Sequence, residues 1–85
     1  MVFKIGSKYT GVEVKSILSN DDDFNRGIFQ CVKYQALLRA EQKAQMIPPV
    51  ARAVLVVERE LPTKLQNLAD ILGIKVIVYL LNKLP

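Results

Sequence analysis

The sequence predicts a small α/β domain with the element order ββαβαβ, a mixed sheet in two or three layers. Three observations carry this. The start of the chain alternates apolar and charged residues, a long segment of helical spacing ends at two prolines, and two short β-branched runs flank a second helical stretch. With 85 residues, 51% of them hydrophobic, the chain reads as one domain spanning 1–85 with an adequate but thin core.

Val2-Phe3-Lys4-Ile5 and residues 9–18 are the first two expected strands, around Gly6-Ser7-Lys8, a turn of hairpin length. In the second, Val12, Glu13, Val14 and Lys15 alternate, so the charged pair shares one face and the valines the other. Ser19-Asn20-Asp21-Asp22-Asp23 then supplies capping side chains and negative charge, which suits the N-terminus of a helix over residues 22–46. Phe24, Ile28, Cys31, Val32 and Leu38 follow helical spacing, and Pro48-Pro49 cannot continue it. A second apolar row of Phe29, Leu37, Ala40 and Ala44 predicts a central helix covered on more than one side. Residues 51–57 form a continuous β-branched run, as in an interior strand buried on both faces. Pro62 suits the first turn of a helix carrying Leu61, Leu65, Leu68, Ala69 and Leu72 and stopping at Gly73. Residues 75–81 close the order as another buried-type strand, the last three strands being joined by right-handed crossovers.

Composition narrows the chemistry. The chain has no histidine, which excludes imidazole bases, Ser-His-Asp or Cys-His nucleophile pairs and His-containing zinc sites. Carboxylates, lysine, tyrosine and a metal held by oxygen remain. Cys31 is the single cysteine, expected to be a buried small hydrophobe, and it suits a reducing compartment. With no signal-like or membrane-spanning run, the expected location is the cytoplasm. The net charge of +4 permits contact with phosphate.

Two segments carry candidate functional residues. Glu13 and Lys15 lie side by side on a strand, where the carboxylate can hold a divalent cation and the ammonium can position water or steady phosphate charge; the plain alternative is an ion pair on an exposed sheet surface. Gln30 and Tyr34 are four apart on one helix face, where an amide and a phenol can hydrogen-bond a phosphate, a base or a metal-bound water; the alternative is a helix flank with solvated polar tips. Gly27, one turn before Gln30, permits close approach by a substrate backbone or by a neighbouring strand.

A strand with Glu-x-Lys, a short acidic connection, and a helix with Gln-x-x-x-Tyr together resemble the PD-(D/E)xK nuclease superfamily, and its helicase-associated exonuclease branch in particular. The resemblance covers about residues 1–60 and implies a partial restriction-endonuclease-like core lacking the family's first helix and strand. It implies Glu13 as a ligand of Mg2+ or Mn2+ with the Val14 carbonyl as companion, and Lys15 as the residue that orients or activates the attacking water. Gln30 and Tyr34 would line the same cleft, with Lys33 and Arg26 as further substrate contacts. The implied reaction is metal-dependent hydrolysis of DNA phosphodiesters. The family also carries a metal-binding aspartate on the strand before Glu-x-Lys, whereas residues 1–10 hold no acidic residue; Asp21, Asp22 and Asp23 follow the triplet and suit helix capping. The expected domain is therefore truncated or degenerate, weakly active or inactive alone. Two other readings stand beside it: a non-catalytic nucleic-acid-binding module using Lys4, Lys8, Lys15, Lys33 and Arg26, and a structural domain forming a homodimer or higher homo-oligomer through an uncovered sheet face or edge.

Overall fold

The computed structural model describes the backbone of residues 2–5, 8–16 and 18–79 and the side chains of residues 10–16 and 18–79. Strands β1 (Val2–Ile5) and β2 (Lys8–Lys15) precede helix α1 (Asp21–Ala44); strand β3 (Arg52–Val57), helix α2 (Thr63–Ile71) and strand β4 (Lys75–Val78) follow. The four strands form one sheet in the order β1-β2-β3-β4. β1 runs antiparallel to β2, pairing Val2 with Gly11 and Ile5 with Lys8. β2, β3 and β4 are mutually parallel, with Glu13 beside Leu55 and Leu55 beside Val76. The mixed α/β class expected from the periodicity is the class observed. Gly6, Ser7 and the expected continuation of the last strand to Leu81 lie outside the described residues, as do the side chains of Lys4 and Lys8.

Local chemistry explains the helix limits. The Asn20 side chain accepts a hydrogen bond from the Asp23 N–H at 2.9 Å, and the Asp23 carboxylate accepts one from the Asn20 N–H at 3.1 Å, a reciprocal capping box. Asp21, Asp22 and Asp23 fill the first turn and oppose the helix dipole, as the capping reading expects. Both helices close in the same way. At the end of α1 the N–H of Met46 donates to the Lys43 carbonyl and that of Ile47 to the Gln42 carbonyl; at the end of α2, Gly73 and Ile74 donate in the same pattern to Asp70 and Ala69. The closure needs a left-handed residue, and it is Gly73 (φ 71°) in one case and Met46 (φ 58°) in the other. Pro62 sits one residue earlier than expected, as the N-cap of α2, where its carbonyl accepts from Leu65 and Gln66.

One face of the sheet carries the core. Phe24, Ile28 and Cys31 of α1 meet Ala53, Leu55 and Val57 of β3, together with Leu61, Ala69 and Ile74. Leu65, Leu68 and Leu72 of α2 pack against the same cluster, so both helices lie on this side. Among the described residues no helix covers the other face, where the ladder Val14, Val56, Ile77 runs across three strands with Val14 and Ile77 exposed and Val56 half-buried. The layer count is therefore two among the described residues, and three sequence expectations are corrected. β3 is buried on the helix face and half-buried on the other, rather than buried on both. β4 is an edge strand that is mostly exposed, not a buried one. Phe29, Leu37, Ala40 and Ala44 face solvent rather than a second cover, because among the described residues neither helix α2 nor any strand reaches that side of α1. β2 also ends earlier than expected, at Lys15 rather than residue 18.

Candidate functional site: a polar seam between β2 and α1

The alternation in β2 fixes which residues share a face, and close packing decides which face α1 covers. A Cβ at Gly11 would sit 3.4 Å from Leu38 Cδ1 and 3.5 Å from Tyr34 Cβ, and one at Gly27 would sit 3.0 Å from Leu55 Cδ1 and 3.2 Å from Lys15 Cε. One glycine on the strand and one on the helix thus bring the two elements into near contact. Gly27 is explained by this strand packing, so no room is left there for a substrate backbone. The same contacts set the register of the seam: Gly11 lies over Tyr34 and Leu38, and Lys15 over Gly27. Glu13 falls between them, near enough to Cys31 for its charge to act on the thiol.

The charged pair consequently points under the helix and the valines point outward. Lys15 Nζ and Glu13 Oε1 are 3.8 Å apart, with side chains only 21% and 19% exposed, whereas Val14 is 55% exposed. An open surface ion pair, the plain alternative, is not what forms. At 3.8 Å the two groups attract as an ion pair without a hydrogen bond. Burial, and secondarily the charge of Glu13, push the Cys31 thiol up to about 11. Cys31 therefore stays protonated at neutral pH and behaves as part of the core, as expected.

Gln30 and Tyr34 stand one turn apart on α1, and Tyr34 lies beside Gly11 of β2. The Tyr34 ring packs on the core cluster. Gln30 Oε1 is shielded from solvent and has no hydrogen-bond partner among the described residues, an arrangement that costs about 1–3 kcal/mol when left uncompensated. Glu13, Lys15 and Tyr34 thus lie along one seam, and Gln30 precedes Tyr34 by one helical turn. Arg26 and Lys33 are not in the seam; both are exposed on the outer flank of α1, where with Asn25, Phe29 and Gln30 they line an open hollow of about 330 Å³. Val14 sits between Glu13 and Lys15, its side chain on the face away from the helices.

Sequence reasoning missed a second group of polar contacts. The Ala51 N–H donates to Gln42 Oε1 at 2.8 Å, Arg39 Nε donates to the Ala51 carbonyl at 2.8 Å, and the Ala53 N–H donates to Gln35 Oε1 at 3.2 Å. Gln35, Arg39 and Gln42 share helical spacing, and that spacing of long polar residues beside an apolar stripe is the signal that identifies them. Arg59 was also missed: it stacks over the Phe24 ring at 4.5 Å and donates to the Ser19 carbonyl at 2.8 Å, tying the end of β3 to the start of α1. These contacts position the seam without joining it.

Among the described residues no helix is long and apolar enough to cross a membrane. Comparison of the chain with protein-family models, curated proteins and solved structures finds no match.

Proposed function

We propose that the chain is a nuclease-like domain of the PD-(D/E)xK type, related to metal-dependent DNA hydrolases, cytoplasmic, and weakly active or inactive by itself. The observation that carries this reading is the inward-turned Glu13–Lys15 pair, facing a helix whose Gln30 acceptor is unpaired. Burying a carboxylate and an ammonium on the covered side of a thin sheet costs desolvation that a purely structural β2 has no reason to incur. In the seam, Lys15 steadies phosphate charge and orients a water, Glu13 holds the lysine in place, and Gln30 and Tyr34 offer hydrogen bonds from the helix side.

The metal is the weak point. Mg2+ or Mn2+ would take Glu13 and the Val14 carbonyl, and when bound would stabilise charge on the phosphate. Magnesium ordinarily needs one or two carboxylates together with substrate phosphates. Here the single carboxylate is already paired with an ammonium, and no three His, Cys, Asp or Glu side chains stand together among the described residues. This donor set does not make a metal site alone.

The hairpin register supplies the test. Val2 pairs with Gly11; if that antiparallel register were extended, an aspartate added immediately before Met1 would stand opposite Glu13 and on its face, and one at position 1 would stand opposite Val12 and on the other face. With Mg2+ or Mn2+, cleavage of DNA is expected to be weak or absent in the chain, to rise in the added-aspartate variant, and to stay low in the Met1→Asp control. Robust cleavage by the unaltered chain that survives Glu13→Ala refutes the site, and so does an added aspartate that restores neither cleavage nor Mn2+ binding.

The ladder of Val14, Val56 and Ile77 favours one further reading, a domain that assembles with copies of itself. Val14 and Ile77 are exposed with the half-buried Val56 between them, an apolar patch of the kind that marks an interaction surface. A homodimer or larger is expected by light scattering at micromolar concentration, and a monomeric mass overturns it.

A further inference from the structure

The outer row of α1 is the largest departure from the expected burial, and its composition is specific. Phe29 is 49% exposed, and Arg26 and Lys33 lie on either side of it along the same flank. Neither cation forms an ion pair among the described residues. Arg26 and Lys33 are two helical turns apart, roughly 10 Å along the axis. The acidic first turn precedes this strip at its N-terminal end. Gln30 lines the hollow beside Arg26 and Lys33.

We infer that this strip is a docking track for single-stranded nucleic acid, with a base stacked on Phe29 and flanking phosphates on Arg26 and Lys33. The inference rests on the nuclease-like reading for its polymer class. Charge selects the occupant: two unpaired cations flanking the aromatic match a polyanion with exposed bases and repel the same strip of a second copy. Duplex DNA offers the phosphates but keeps its base faces stacked inside, so it cannot use Phe29. The Gln30 side chain makes no hydrogen bond among the described residues, so turning its amide toward a bound base breaks nothing. Its acceptor suits the N–H edge of a base and not a phosphate.

The test is fluorescence anisotropy of a labelled 20-nucleotide oligothymidine and of a duplex of equal length, in EDTA, at several salt concentrations. Phe29→Ala is expected to weaken single-strand binding roughly five- to hundredfold, and Phe29→Tyr to restore it. Duplex binding should change by less than about twofold in both. Lys33→Ala should lower the slope of log affinity against log salt by about 0.7. Phe29 is exposed, so an unchanged melting temperature should accompany the loss of binding. Single-strand binding that Phe29→Ala leaves intact overturns the inference, as does an equal loss on the duplex, or light scattering that shows Phe29→Ala splitting a dimer. Because the assay contains no metal and reads binding alone, its outcome is independent of the cleavage test of the added-aspartate variant; failure of the track and failure of the nuclease reading are therefore separately visible.

Discussion

Replacing Gln42 with leucine is expected to destabilise the fold by about 2–3 kcal/mol, although the change makes a fully buried position more apolar. Gln42 has no exposed surface, and its Oε1 accepts the Ala51 N–H at 2.8 Å. Ala51 is itself 1% exposed, so leucine leaves a backbone donor buried with no acceptor, at the full desolvation cost of an amide. The neighbouring bonds from Arg39 to the Ala51 carbonyl and from Ala53 to Gln35 share the strain, because all three fix where β3 begins and hence its register against β2. A domain of this size holds only a few kcal/mol of net stability. Urea unfolding should show the midpoint falling while the slope stays constant. A Gln42→Leu protein as stable as the wild type would show that water reaches the Ala51 amide.

Gly27 gives the second large effect, read as a contrast between two substitutions. Alanine is worth about 1 kcal/mol over glycine inside a helix, but its Cβ would meet Leu55 Cδ1 at 3.0 Å and Lys15 Cε at 3.2 Å. Lys15 is flexible and can move, whereas Leu55 is fully buried; the two effects nearly cancel, and Gly27→Ala is expected within about 1 kcal/mol of the wild type. Gly27→Leu adds three further carbons to a site with no space and forces α1 away from β2 and β3, at a cost of about 3 kcal/mol. It also displaces Lys15 from its place under the helix. Urea unfolding of both variants checks the contrast; equal stabilities for alanine and leucine would mean that the helix and sheet are not in close contact at this point.

The element order was legible because hydrophobic period distinguishes strand from helix residue by residue, and Asn20, Pro48 and Gly73 punctuate it. What the period does not report is whether anything stands opposite an apolar row. Phe29, Leu37 and the alanines beyond them look like a second core stripe in sequence, and they face solvent because four strands and two helices build only one covered face. β4 reads as buried for the same reason. In the candidate site, the shared face of Glu13 and Lys15 was legible from alternation. That alternation is symmetric, however: it says that the pair and the valines oppose each other, not which of them the helix covers. Gly11 and Gly27 decide it, through distances between elements that are remote in sequence. The buried amide of Gln42 escaped for a related reason, since a glutamine on a helix is ordinarily solvated and becomes a structural acceptor only when a loop backbone arrives beside it.

The pairing of β2 has a thermodynamic consequence. Among the described residues, Glu13, Val14 and Lys15 pair with Leu55, Val56 and Val57 of β3 on one side. Any strand added along the opposite side sets its side chains directly beside Glu13 and Lys15, because opposed residues of paired strands share a face. Closing the sheet edge and completing the chemistry of the seam are then a single event. Association and ligand affinity become linked functions: a ligand that engages the added strand and Glu13 together tightens the assembly by as much as the assembly tightens the ligand.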